Sequence, residues 1–292
     1  MLSRYISLFI LVALLLNGCG WNLNAPDGGN GTDPDTTTQF RNASDGSLPT
    51  NVQATTSQAR AADIDDDGNL DLVLAVAFAR NRILINSGDG TFADESNSRL
   101  PAQNYDSQDV TVADLNSDGN LDLFFVGNQN QTNELYINDG RGVYSDLSNR
   151  IPVSGNFTSV EALDIDGDGP VDILMGNIGQ NTMLMNSGNA FFNNQSLQRL
   201  PQISDATHDI TFADITGDNL RDIIVGNENG NRLLINTGSG FFADQTASRI
   251  SFPNSIEETQ DVNVADVDGD GDRDLYFGNG GSRMAPIPRI DY

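Results

Sequence analysis

An acidic nonapeptide, Asp63-Ile-Asp-Asp-Asp-Gly-Asn-Leu-Asp71, decides the fold of this chain because it recurs four more times. The later copies are Asp114-Leu-Asn-Ser-Asp-Gly-Asn-Leu-Asp122, Asp164-Ile-Asp-Gly-Asp-Gly-Pro-Val-Asp172, Asp214-Ile-Thr-Gly-Asp-Asn-Leu-Arg-Asp222 and Asp266-Val-Asp-Gly-Asp-Gly-Asp-Arg-Asp274. Their first residues are separated by 51, 50, 50 and 52 positions. A fixed period of this length indicates a repeat architecture in which each unit is one supersecondary element.

Short apolar segments of strand character flank each nonapeptide. Val110-Thr-Val-Ala113 precedes the second copy, and Leu121-Asp-Leu-Phe-Phe-Val126 overlaps its end. A third segment follows, as in Arg82-Ile-Leu-Ile85, and a Gly-rich turn such as Ser87-Gly-Asp-Gly-Thr-Phe92 leads to a fourth. Four short strands in about fifty residues fit one blade of a β-propeller. The sequence therefore predicts an all-β chain with five four-stranded blades over residues 39–292.

Closure of the propeller is predicted from the two ends of the repeat region. Phe40 precedes the first loop Asp by 23 residues, and Phe92 precedes the next by 22. We therefore expect Phe40–Ser44 to be the outer strand of the blade that contains Asp266. Pro286 and Pro288 weaken this interpretation, because proline is confined to edge or irregular positions of sheets. A truncated larger propeller, with as many as seven blades, is the alternative.

Each nonapeptide places oxygen ligands at positions 1, 3, 5 and 9, with a backbone carbonyl at position 7. This donor set suits a hard cation of calcium size, and glycine at position 6 permits the sharp turn. The pattern predicts about five calcium ions. The candidate ligands are Asp63, Asp65, Asp67, Asn69, Asp71, Asp114, Asn116, Asp118, Asn120, Asp122, Asp164, Asp166, Asp168, Pro170, Asp172, Asp214, Thr216, Asp218, Leu220, Asp222, Asp266, Asp268, Asp270, Asp272 and Asp274.

The five loops are not equivalent. The first, third and fifth carry four carboxylates at the side-chain positions, whereas Asn116 replaces one in the second. The fourth has Thr216 at position 3 and Asn219 where glycine is expected. Asparagine tolerates the left-handed conformation better than other residues with a side chain. We expect the fourth loop to bind calcium most weakly.

These loops and the turns that follow them resemble the FG-GAP/VCBS repeats of integrin α-subunit propellers and many bacterial surface proteins. The resemblance extends from about residue 39 to 279 and is most specific in the acidic loop. It implies a calcium-binding propeller. Family members serve in adhesion, in matrix or glycan binding, and as accessory domains of secreted enzymes.

The overall charge excludes several classes of function. The chain of 292 residues has 41 acidic and 15 basic residues, a formal net charge of −26. Nucleic acid is therefore not expected as a partner, because this surface would repel a phosphate backbone. The sequence contains no lysine, which excludes Schiff-base catalysis by this chain. A single cysteine excludes an intramolecular disulfide.

The N-terminal segment is typical of an exported lipoprotein. Residues 1–18 read as a signal peptide, with Arg4 before an apolar run that is too short to span a bilayer. Leu16-Asn17-Gly18-Cys19 resembles a lipobox, which predicts lipidation at Cys19; an ordinary signal peptide is the alternative. Residues 19–38 are rich in Gly, Asn, Asp, Pro and Thr and are interpreted as a flexible tether. We expect attachment to an outer membrane or cell surface through the lipid.

Two functions are compatible with these features. The tether, the repeat scaffold and the structural ions favour an extracytoplasmic binding or adhesion module for a protein or glycan, without enzymatic activity. The alternative is a secreted hydrolase or an enzyme resembling a polysaccharide lyase, for which His208 beside Asp209 is the one candidate. Asp109 and Asp261 share the position of Asp209 in their repeats, which favours a structural or rim-lining role for that carboxylate.

Overall fold

The computed structural model describes residues 47–49, 55–128, 132–250 and 258–280. Within these ranges the regular structure is β-sheet, interrupted by helical turns of three or four residues, so the predicted all-β class is confirmed. No helix of the described part is long and apolar enough to cross a membrane. The predicted signal peptide, Cys19, the tether 19–38 and the closing strand Phe40–Ser44 lie outside the described residues.

The strands follow the repeats of the sequence. The first blade contains β1 (Thr56–Ala62), β2 (Asp71–Val76), β3 (Arg82–Asn86) and β4 (Phe92–Asp94), and the second contains β5 (Ser107–Ala113), β6 (Asp122–Gly127), β7 (Glu134–Asn138) and β8 (Tyr144–Asp146). The third contains β9 (Phe157–Leu163), β10 (Asp172–Gln180), β11 (Thr182–Asn186) and β12 (Phe192–Asn194), and the fourth β13 (Ser204–Ala213), β14 (Asp222–Asn227), β15 (Arg232–Asn236) and β16 (Phe242–Asp244). The described part of the fifth blade is β17 (Thr259–Ala265) and β18 (Asp274–Asn279).

Within each blade the strands pair antiparallel in chain order, and the acidic nonapeptide joins the first strand to the second. Residues 178–180 of β10 also pair with the start of β13, which joins the third and fourth blades into one sheet. The second strands are apolar over nearly their whole length, as in Asp71–Val76, where every residue is buried. Such continuous apolar runs are expected of strands covered on both faces.

The hydrophobic cores lie between successive blades. Ile83 and Val73 of the first blade pack with Phe125 and Tyr136 of the second, and equivalent clusters join the second to the third, the third to the fourth and the fourth to the fifth. One residue after each helical turn fills such an interface, and this set is Leu100, Ile151, Leu200 and Ile250. Because each blade buries its faces on its neighbours, the fold is a β-propeller-like stack.

A β-bulge recurs in the first two strands of every repeat. The pairing shifts by one residue near the start of β1, β5, β9, β13 and β17. In β13 the shift falls between Thr207 and Asp209, so His208 is the extra residue of the bulge. His208 therefore occupies a repeated backbone position, although its residue type is unique in the chain.

Candidate metal centre

The first Asp of each loop organises the turn through its two carboxylate oxygens. In loop one Asp63 accepts hydrogen bonds from the backbone N–H groups of Asp67 and Gly68, both at 3.1 Å. Asp114 accepts the same two bonds in its loop, whereas Asp164, Asp214 and Asp266 accept from the N–H groups at positions 4 and 6 of theirs. Side-chain oxygens bonded to nearby backbone N–H groups are the usual means of fixing such turns.

The ninth Asp has a second role that the metal-ligand pattern did not indicate. In the first four loops it begins the second strand and is fully buried, as for Asp71. One oxygen of Asp71 accepts from Ile64 N–H at 3.2 Å and the other from Asn86 N–H at 2.8 Å. The same pair of bonds is made by Asp122, Asp172 and Asp222. This side chain therefore fastens the loop to the third strand of its blade.

Burial makes ionisation of these ninth carboxylates unfavourable unless a positive charge lies nearby. It raises the pKa of Asp71 to about 6 and the pKa values of Asp122 and Asp172 to about 7. The backbone N–H donors act in the opposite direction but do not offset the burial. A divalent cation beside a carboxylate favours its charged form, so these sites are suited to receive one.

Positions 1, 3 and 9 come together in three of the loops. Within each group the carboxylate oxygens lie within 4.8 Å of one another. The groups in the described residues are Asp63, Asp65 and Asp71; Asp164, Asp166 and Asp172; and Asp266, Asp268 and Asp274. These are the three loops for which the sequence predicts the full set of carboxylates.

Most of the fifth-position carboxylates point back into the turn instead of joining these groups. Asp67 accepts from Asn69 N–H at 2.8 Å, and Asp118 makes the same bond to Asn120. Asp218 and Asp270 do so with Leu220 and Asp272. In loop three the seventh residue is Pro170, which has no N–H to donate. The pKa of Asp168 is raised there by desolvation and then by the charges of Asp166 and Asp164.

The second and fourth loops keep an uncharged oxygen at position 3. Asn116 accepts from Asp118 N–H at 2.9 Å and donates from its amide to the Asp118 carboxylate, also at 2.9 Å. Thr216 points its hydroxyl into a buried position where no described residue bonds it. Asn219 has a φ of +67°, so the left-handed turn predicted for it is confirmed. Asp66 and Ser117 adopt the same conformation at position 4, which the sequence analysis did not identify.

The arrangement fits a hard divalent cation. All side-chain donors are oxygens, the type that calcium takes in sets of roughly six to eight. One oxygen of Asp65 is buried with no hydrogen-bond partner among the described residues, as is the Thr216 hydroxyl. Buried polar atoms usually have a partner, so two such oxygens at the same loop position are suited to coordinate a cation. The residues at positions 1, 3 and 9 would hold the calcium ion, and the bound ion would neutralise their clustered carboxylates.

A second group of charges lies on the first strands of the blades. We call Arg60, Asp109, Glu161 and Asp209 the first-strand cluster. Arg60 lies 3.4 Å from the Asp109 carboxylate and 3.6 Å from that of Glu161. Asp109 accepts from Val160 N–H of the next blade at 2.8 Å.

Asp209 makes the same contact two repeats further along the chain, accepting from Val262 N–H at 2.8 Å. Both carboxylates therefore join their blade to the next, which supports the structural role expected of Asp209. Burial raises the pKa values of Glu161 and Asp209 to about 7, and that of Asp109 upwards as well. The cluster therefore has more acidic groups than its one arginine can neutralise.

His208 does not join Asp209 in a described hydrogen bond. Its Nε2 atom is buried and has no partner among the described residues. Asp209 is occupied by Ser159 and by the backbone of Val262. The two side chains therefore do not form the paired acid–base arrangement on which the catalytic alternative depends.

The repeated acidic loops, the antiparallel blades and the cores between them define a class of blade-repeat proteins. A family model described as "FG-GAP-like repeat" matches residues 63–125, 114–175, 164–225 and 214–277. These matches cover most of the chain, which therefore belongs to the FG-GAP-like repeat family. No curated protein matches the chain.

Several solved structures are similar to this chain at low identity. One, of an Agrocybe aegerita lectin recognising non-reducing terminal N-acetylglucosamine, has 18% identity and a TM-score of 0.47 and covers 75% of this chain and 60% of its own. Another, of the V. cholerae biofilm matrix protein Bap1, has 18% identity and a TM-score of 0.45 and covers 77% and 35%. The chain thus spans less than two thirds of either protein.

Proposed function

We propose that this chain is a calcium-stabilised binding or adhesion module. The observation that carries the proposal is the recurrence of three carboxylate groups at positions 1, 3 and 9, with an unbonded buried oxygen in loop one. About five ions would bind, with the first, third and fifth loops strongest. Membership of the FG-GAP-like repeat family supports the same assignment.

Calorimetric titration of calcium into chelator-stripped protein tests the proposal. We expect saturable binding, with a poor response to Mg²⁺ because that ion demands octahedral geometry and gives up its water reluctantly. Asp65→Asn should remove or weaken one site. Asp89→Asn is the matched control, because Asp89 is an exposed carboxylate that bonds Thr91 in a neighbouring turn. Absence of calcium binding, or equal effects of the two variants, would contradict the assignment.

The proposed architecture is a propeller of five blades closed by the N-terminal strand. Support comes from Leu48, which packs against the cluster of Leu72, Leu74 and Leu84 in the first blade. Leu48-Pro49 stands eight residues after Phe40, as Leu100-Pro101 stands after Phe92. Leu48 thus covers the first blade as Leu100 covers the interface that follows it.

Deletion of residues 39–45 tests the closure. It should lower the unfolding temperature sharply, because the last blade would lose its outer strand. Deletion of the same number of residues within the tether, 24–30, is the control. An equal effect of both deletions would favour the truncated larger propeller.

We also propose that the mature chain begins at lipidated Cys19 and works outside the cytoplasm, at an outer membrane or cell surface. The support is the signal-like segment before it and the polar tether after it. Mass spectrometry of membrane-extracted protein should find diacylglycerol on Cys19. A Cys19→Ala variant should appear in the soluble fraction.

The ligand is proposed to be a protein or a glycan, and the module is proposed to have no enzymatic activity. Glycan-array and pull-down binding should be detected with calcium-loaded protein and lost in chelator. Reducing-sugar and lipase assays test the alternative function. Turnover that disappears in His208→Ala, with binding retained, would make the chain an enzyme.

A further inference from the structure

An arginine recurs at the end of the helical turn that follows the fourth strand. Arg99 donates to the Arg141 carbonyl at 2.6 Å, and Arg150 donates to the Asn189 carbonyl at 2.7 Å. Arg199 donates likewise to the carbonyl of Ser239. Each accepting carbonyl belongs to the Gly-rich turn of the following blade. These arginines therefore clamp one blade to the next.

Two of the arginines also reach back to the acidic loop of their own blade. Arg99 pairs with Asp65 at 3.0 Å, and Arg199 pairs with Asp166 at 2.9 Å. Both aspartates occupy position 3 and belong to the carboxylate groups of loops one and three. Arg150 forms no ion pair with a described residue, and position 3 of its loop is Asn116. Among the contacts of the described residues, Arg99 and Arg199 bridge a loop to a turn, whereas Arg150 bonds only the turn.

The Gly-rich turns whose carbonyls accept these arginine bonds differ in the same way. Gly142 and Gly240 lie against the bridging arginines, whereas Ala190 takes the equivalent position opposite Arg150. A Cβ atom on Gly240 would lie 2.8 Å from the Arg199 guanidinium and 3.3 Å from Asp166 Cβ. A Cβ atom on Gly142 would collide with Arg99 and lie 3.2 Å from Asp65 Cβ. The bridge therefore needs a turn without a side chain at this point.

Asp65 can serve the arginine and a cation simultaneously. Its Oδ2 atom bonds Arg99, while its Oδ1 atom is buried without a described partner beside Asp63 and Asp71. A charged group that bonds a metal ligand from behind fixes the orientation of that ligand. By the same contact, a cation that fixes Asp65 restrains Arg99.

We propose that Arg99 and Arg199 couple ion binding in loops one and three to the seating of the following blade's turn. This inference rests on the proposed calcium sites. Calcium in loop one tightens the turn 139–143, and calcium in loop three tightens the turn 237–241. The turn 187–191 receives no such signal through an arginine, because Arg150 does not contact a ligand position of loop two; its bond to that loop runs from Ala190 N–H to the Leu115 carbonyl at 3.0 Å.

Hydrogen–deuterium exchange of the full chain, with excess calcium or with chelator, tests this coupling. Calcium should slow exchange in turns 139–143 and 237–241 by at least about fivefold, the lower end of typical couplings between protein sites. The turn 187–191 should change less. In Arg99→Gln the calcium effect should vanish at 139–143 and persist at 237–241.

Gly142→Ala provides a second variant that keeps the arginine. It should also abolish the calcium effect at 139–143, because the new methyl group displaces Arg99 from Asp65. Gly90→Ala is its control, since Gly90 has a similar left-handed φ of +84° and no atom near its Cβ position. Equal slowing of all three turns, or slowing retained in both Arg99→Gln and Gly142→Ala, would overturn the coupling. Absence of calcium binding to the wild-type chain in a calorimetric titration would instead contradict the proposed calcium sites on which the coupling rests.

Discussion

The acidic loops and the first-strand cluster both concentrate carboxylates, but their charges are balanced by different means. In the loops, backbone N–H groups bond the carboxylates, and in loops one and three an arginine contacts one edge of the group. In the first-strand cluster, Arg60 of the first blade lies against carboxylates of the second and third blades. The proposed partner of the loops is therefore an exchangeable ion, whereas the positive charge of the first-strand cluster is a fixed arginine side chain.

This difference determines which solution variable each region should sense. Loop stability should follow the calcium concentration, because a ligand that binds only the folded state stabilises it by mass action. The stability of the first-strand cluster should depend on pH, because its buried carboxylates outnumber its one arginine.

Removal of calcium should produce the largest loss of stability. Three strong sites at a calcium concentration near one hundred times the dissociation constant would contribute about 8 kcal/mol in total. For a chain of this size that corresponds to a fall of roughly 20 °C in the unfolding temperature. Differential scanning calorimetry with and without chelator measures it. An unchanged melting curve, on protein shown to have been calcium-loaded, would leave the loops as ordinary turns.

Arg60→Gln should cause the next largest effect, and it should persist in saturating calcium. Removing one partner of a buried ion pair leaves uncompensated charge, and the 30% exposure of Arg60 reduces the expected cost to about 2 kcal/mol. Urea unfolding at pH 7.5 measures this. Arg273→Gln, on the exposed side of loop five, is the control and should have a smaller effect. Equal losses in the two variants would show that Arg60 does not compensate the cluster.

Asp166→Ala should weaken calcium binding more than Thr216→Ala. The first removes a charged ligand from a three-carboxylate group, whereas the second removes a neutral hydroxyl from a loop that lacks such a group. We expect about tenfold weaker binding at one strong site for Asp166→Ala, and a smaller change for Thr216→Ala. Calorimetric titration of both variants measures it. A larger loss in Thr216→Ala would reverse the ranking of the loops.

Glu161→Gln should have the smallest effect, and its sign should depend on pH. Burial raises the pKa of Glu161 to about 7, so the folded state binds this proton more tightly than the unfolded state. This contribution to the free energy of unfolding is fully present below the pKa of Glu161 in the unfolded state, which is near 4. It is lost as the pH rises through the folded-state pKa of about 7. Because Glu161 is 34% exposed, we expect a gain of only about 1 kcal/mol for the variant at pH 8.

Comparison of wild type and Glu161→Gln by urea unfolding at pH 5 and pH 8, in saturating calcium, tests this sign. The stability difference between them should shrink as the pH falls. A variant that is destabilised at pH 8 would show that ionised Glu161 is a net stabiliser through Arg60.

The sequence alone was sufficient to predict the features that are encoded in neighbouring residues. The period near fifty, the four strands and the oxygen positions of the loops are all written in contiguous residues. The left-handed turn at Asn219 could be predicted because its position in the nonapeptide requires it. The all-β class and the loop-bearing hairpins follow from the same signals.

The remaining features depend on tertiary contacts, most of which no local pattern indicates. The pairing of Arg60 with Glu161 joins residues about one hundred positions apart, and nothing in either segment marks the other. The fastening role of Asp71 depends on the backbone of Asn86. The arginine clamps did have a signal, because Arg99, Arg150, Arg199 and Arg249 recur at nearly the same period as the loops.

The asparagine side chains that end the third strands give the molecule a direction of assembly. Asn138 donates from its amide to the Ile64 carbonyl of loop one, and Asn186 does the same to Leu115 of loop two. Loops one and two are thus each bonded by a residue some seventy positions downstream. A chain that emerges N-terminus first cannot form the bond that secures loop one until the second blade has arrived, so these two bonds form in order from the N-terminus.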